Sequence, residues 1–68
     1  MSSTNTVILE GGPAELAGRT ATVATLGDDL KIKFGNGYEH FRATARRTET
    51  PHGLLLVYEW WERTEMTA

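Results

Sequence analysis

Leu54-Leu55-Leu56-Val57-Tyr58-Glu59-Trp60-Trp61-Glu62-Arg63 is the stretch that decides the fold. It holds three leucines, a valine, a tyrosine and both tryptophans of the chain. Its length and its valine and aromatic content suit a strand rather than a helix. Successive strand residues point to opposite faces, so this segment has two apolar sides. Leu54, Leu56, Tyr58 and Trp60 form one; Leu55, Val57 and Trp61 form the other, together with Glu59. Burying each large side chain of the second set is worth roughly 1.5–3 kcal/mol. A strand apolar on both sides is normally covered on both sides. The cover could be a second copy of the chain, a ligand, or the first two strands folding over.

Working back from this stretch, Thr48 to Gly53 reads as a hairpin loop through Pro51 and Gly53, and Tyr38 to Arg47 as the strand before it. Asn36-Gly37 predicts a type I′ turn, because that dipeptide supplies the positive φ angles the turn requires. The preceding Leu30-Lys31-Ile32-Lys33-Phe34 alternates strictly and is the cleanest half-buried strand in the chain. This turn sets Ile32 opposite Phe41 and Leu30 opposite Ala43. It also sets Lys31 against Arg42 and Lys33 against His40, a like-charge cost that burial outweighs. Across the last loop, Ala43 is expected to face Trp60, and Ala45 to face Tyr58. Thr20 to Thr25 and Thr6 to Glu10 are the two remaining strands. Between them Gly11-Gly12-Pro13 leads either into one helical turn, Ala14 to Ala17 closed by Gly18, or into an irregular loop. Residues 1–5 and 65–68 are expected to fray. The expected fold is all-β: one small domain over residues 1–68, a five-stranded antiparallel meander that is curled or barrel-like, with at most one short helical turn.

Composition narrows the chemistry. A chain of 68 residues without cysteine has neither disulfides nor thiolate metal sites to stabilise it, and only His40 and His52 could offer imidazole. No metal or cofactor is expected, and self-association, with a dimer favoured, is the remaining source of buried area. A net charge of −2 argues against a nucleic-acid partner. No apolar run approaches a membrane span and the first residues lack a signal-peptide layout, so no membrane partner and a cytoplasmic location are expected.

The candidate site residues lie on the outer face of the C-terminal hairpin. Tyr38, His40, Arg42, Glu59 and Trp61 could line a ligand site; Leu55, Val57 and Trp61 could form an interface. Trp60 and Trp61 are adjacent and so cannot clamp one ligand. One tryptophan in the core and one at an interface is the simpler account, with Arg42 over Trp61 as a cation–π platform in the functional one. Lys31, Lys33, His40, Arg42 and Arg46 make a basic stripe that Glu39, Glu59 and Glu62 are placed to neutralise. Tyr38, His40 and Glu59 have the functional groups of acid–base catalysis, but the sequence has no cysteine and no nucleophile-elbow motif, so no catalytic residue is assigned. Gly11-Gly12-Pro13 lacks the lysine and helix of a phosphate loop, and His52 reads as a solvated turn residue.

Three segments, V-I-L-E-G-G-P-A-E-L with Gly18-Arg19, N-G-Y-E-H-F and V-Y-E-W-W-E-R-T-E, together resemble a family of small actinobacterial proteins of unknown function, often encoded near natural-product gene clusters. The resemblance implies an accessory protein of specialised metabolism with a biosynthetic enzyme as partner, and it carries no catalytic residue with it. The expectation is therefore a non-catalytic small β domain that self-associates and binds a partner protein. Small-ligand binding or modest acid–base catalysis on the outer hairpin face is the alternative.

Overall fold

A computed structural model describes residues 5–65. They form five strands, β1 (Asn5–Glu10), β2 (Thr20–Val23), β3 (Leu30–Phe34), β4 (Gly37–Thr50) and β5 (Gly53–Glu65), in one sheet of order β2-β1-β5-β4-β3. The all-β expectation holds, with no helix among the described residues. Of the termini expected to fray, Asn5 and Glu65 stand in strands, and residues 1–4 and 66–68 lie outside the described residues.

The sheet is not an antiparallel meander. Three neighbouring pairs are antiparallel, but β1 runs parallel to β5, with Val7 opposite Leu56 and Leu9 opposite Tyr58. Nor does the sheet close, since β2 and β3 are its two edges. The reason lies in β5. A meander would leave the most apolar strand at an edge, whereas this order puts it in the middle, where β1 and β4 flank it. The first two strands do not fold over its second side; they extend the same sheet beside it. Leu55 and Val57 are only 8% and 4% exposed within the single chain. Of the three residues expected at an interface, only Trp61 therefore remains open, at 40%.

Placing β2 and β3 on opposite edges forces the connection 24–29 across the sheet. Four strand spacings amount to about 19 Å, and the seven steps from Val23 to Leu30 reach at most about 25 Å. The connection has little slack, and the side chain beneath it anchors it. The Tyr58 hydroxyl donates to the Asp28 carbonyl (2.7 Å) and accepts from the Gly27 amide (3.0 Å). Below that anchor lies the core of Val7, Leu9, Val23, Phe41 and Tyr58, with Leu16, Leu30, Ile32, Ala43 and Leu56 packed against it.

Two registers differ from expectation. The β3–β4 turn is Gly35-Asn36, flanked by Phe34 opposite Gly37, so Ile32 faces Glu39 and Leu30 faces Phe41. Gly35 has φ +62° and Asn36 does not have positive φ, the signature of a II′ rather than a I′ turn. Gly37 is required elsewhere: a Cβ there would lie 2.3 Å from the Thr64 carbonyl oxygen, so β4 and β5 approach closely only because it has none. The slide leaves every side chain on its expected face and brings Lys31 opposite His40 and Lys33 opposite Tyr38, which removes the Lys31–Arg42 clash.

In β4–β5 the expected pairing holds from Arg47–Leu56 to Thr50–Gly53, then shifts, so that Ala43 faces Tyr58 and Phe41 faces Trp60. Three residues of β4, Thr44 to Arg46, stand against Val57 alone, and Thr44 Oγ1 holds this bulge by donating to the Val57 carbonyl (2.7 Å). Ala45 is consequently exposed and does not face Tyr58. Leu54, expected in the core, is 64% exposed beside the hairpin turn. Between β1 and β2 the helical-turn alternative is approached, with the Pro13 carbonyl accepting from the amides of Leu16 (2.9 Å) and Ala17 (3.0 Å).

Candidate functional site

A second irregularity in β5 builds the site. Phe41 pairs with Trp60 and His40 with Glu62, which leaves Trp61 as the extra residue of a β-bulge. Bulges twist a strand and re-aim side chains. Arg63 thereby falls on the core side opposite Glu39, while Trp61 and Glu62 belong to the outer face with His40 and Thr64.

On that face the five expected ligand residues form a contiguous band. The His40 and Trp61 rings meet edge to face at 6.0 Å, and the Arg42 guanidinium lies 5.9 Å from the Trp61 ring centroid. Arg42 Nε stands 3.9 Å from Glu59 Oε1, a loose and exposed pair of little energetic weight. Tyr38, one step along β4, lies under the Lys31 ammonium (4.8 Å). His40 Nε2 shares a 2.8 Å hydrogen bond with Thr64 Oγ1, which fixes the imidazole.

This arrangement holds an exposed indole in place between a cation and a second ring. It is poorly arranged for proton transfer, because His40 engages Thr64 and no hydrogen bond links it to Glu59 among the described residues. Nor does the band line the two cavities of about 490 and 570 Å³ that lie among the described residues at the other end of the outer face.

The basic stripe is neutralised differently from expectation. Glu39 takes no part on the outer face. It is a core-side carboxylate only 2% exposed, accepting from Trp60 Nε1 (2.7 Å) and paired with Arg63. Trp60, the expected core tryptophan, is 36% exposed; its ring lies against Gly12, where a Cβ would come within 2.8 Å of Cδ1. Arg63 is raised above the ordinary guanidinium range first by Glu65 and then by Glu39. Arg46 reaches across β5 to Glu10 of β1, a partner not anticipated for it (3.2 Å from NH1 to Oε2). The Arg46 hydrogen bond holds Glu10 below the usual carboxylate range, against a smaller opposing effect of desolvation. One signal for Glu39 was present in the sequence: it shares alternation with Phe41 and Ala43, hence their face.

No group of three or more potential metal-binding side chains occurs among the described residues. No described helix is long and apolar enough to cross a membrane. The model of a family of unknown function, DUF5988, matches residues 1–67. Comparison with curated proteins and with solved structures gives no match.

Proposed function

We propose that this chain, which belongs to the DUF5988 family, is a non-catalytic β domain that binds protein, first a second copy of itself, through the outer face around Trp61. One observation carries the reading: the bulge presents Trp61, 40% exposed, between the His40 ring and the Arg42 guanidinium. Tryptophan, tyrosine and arginine are the residues that concentrate binding energy in interfaces, and they act best when held in place beforehand. Tyr38, Arg42 and Trp61 supply that set, and neither Leu55 nor Val57 is needed for it. Following the resemblance of its motifs, the further partner is a biosynthetic enzyme of actinobacterial specialised metabolism, met in the cytoplasm.

Sedimentation equilibrium tests the first step. The wild-type chain should weigh as a dimer at high concentration and dissociate on dilution. Trp61→Ser should stay monomeric with an unchanged circular dichroism spectrum, because Trp61 is not part of the core. A wild-type chain that is monomeric at every concentration, or a Trp61→Ser variant that dimerises equally well, would refute it.

A further inference from the structure

The two cavities adjoin, sharing Ile8 and Gly18. Together they make one groove on the outer face, at the end away from Trp61. One wall is the β1–β2 connection; the other is the second half of β4 and its turn into β5. The bulge at Thr44 to Arg46 is where β4 departs from its register, and such bulges bend the strand that carries them. Half-buried Ile8, beside the buried Val57 opposite it on β5, gives the groove an apolar floor.

Its charge is unlike that of the chain. Arg46 is matched by Glu10 in a two-pronged pair at one end. Arg19 and Arg47 also line the groove, and neither has a carboxylate within ion-pair distance among the described residues. Against them stands Glu49, so two arginines and one glutamate leave a surplus of +1 in a chain of net charge −2. His52, on the turn, adds a further ring nitrogen at the other end. Guanidinium groups bind carboxylates through paired hydrogen bonds. Cavities of about 300–1,000 Å³ with apolar linings and a few polar groups suit small ligands, and each half of the groove falls in that range at about 490 and 570 Å³.

We infer that this groove binds a small amphipathic carboxylate, its apolar body on Ile8 and its carboxylate on Arg19 or Arg47, which line the two adjoining halves. The site is separate from the Trp61 surface, so it stands or falls independently of self-association.

The test is a titration of the ¹⁵N-labelled full chain with octanoate, and in parallel with octylamine, which has the same tail and the opposite charge. Octanoate should shift the amides of Ile8, Gly18, Arg47 and Val57 in a saturable manner, and octylamine should not. The Arg19→Gln/Arg47→Gln double variant should bind octanoate at least about tenfold more weakly, since each arginine contributes a charge-assisted bond. Both arginines are exposed, so the variant should keep its fold, which the spectrum itself reports. Equal shifts with both probes, shifts confined to other residues, or undiminished binding by the double variant would overturn the inference.

Discussion

Replacing Tyr58 by phenylalanine isolates what holds the crossing connection in place. The ring is fully buried and stays so, so hydrophobic burial is conserved. Only the hydroxyl goes, and with it the bonds to the Gly27 amide and the Asp28 carbonyl. A hydrogen bond contributes a net ~0.5–1.5 kcal/mol, so two set a range of about 1–3 kcal/mol. Gly27 and Asp28 are exposed, and their freed backbone groups can turn to water. That removes the penalty of a buried orphan and places the expected loss at about 1–2 kcal/mol. For a chain of this size each kcal/mol lowers the melting temperature by about 4–8 °C. Urea unfolding followed by tryptophan fluorescence would show a lower midpoint with an unchanged slope, since the area exposed on unfolding is nearly the same. Amide exchange at Gly27 would accelerate beyond the global change. If Tyr58→Phe unfolds at the wild-type midpoint, the connection is held by something else, and the reasoning that ties sheet order to this anchor fails.

Removing the buried carboxylate with Glu39→Ala should cost about 1–3 kcal/mol, because the Trp60 indole loses its acceptor; equal stability by calorimetry would show the pair to be dispensable. The β3–β4 turn predicts a contrast: Asn36→Ala should change stability by less than about 0.5 kcal/mol, while Gly37→Ala should cost about 1–3 kcal/mol or more as its Cβ pushes on the Thr64 backbone. A costly Asn36→Ala would return the turn to Asn36-Gly37. For Glu10, whose folded pKa is depressed by Arg46, the linkage has one sign: the contribution to stability is present above the unfolded pKa and lost as pH falls through the folded one. A carboxyl titration by NMR should find Glu10 below the ordinary range in the wild-type chain and back within it in Arg46→Gln.

Face assignment was legible in the sequence and strand order was not. Alternation along Leu30–Phe34 and Leu54–Arg63 identifies strands, and the pairing of β3 with β4 and of β4 with β5 follows from the short turns between them. A one-position error in the turn moved every β3–β4 pair without moving a side chain to the wrong face, because the period is two. Bulges are different. Nothing in Thr44-Ala45-Arg46 or Trp60-Trp61 announces an extra residue, and yet the first exposes Ala45 and the second turns Arg63 towards Glu39. The position of β1 also escaped local reading, since a parallel partner at the far end of the chain leaves no turn signal. The doubly apolar character of β5 was the available clue, and its central place satisfies it. The outer band at Tyr38, His40, Arg42, Glu59 and Trp61 was predicted as a set because alternation and hairpin pairing suffice for it. The groove at Arg19 and Arg47 was not, because its walls come from segments distant in sequence.

Dilution of the ¹⁵N-labelled wild-type chain, read residue by residue, tests the central claim that Trp61 leads a self-association surface. The expected result is a set of concentration-dependent shifts centred on the Trp61 indole and on the amides of Tyr38, His40, Arg42 and Glu59, absent from Trp61→Ser. Spectra that do not change with concentration, or changes that cluster around the exposed Leu54 instead, would contradict it.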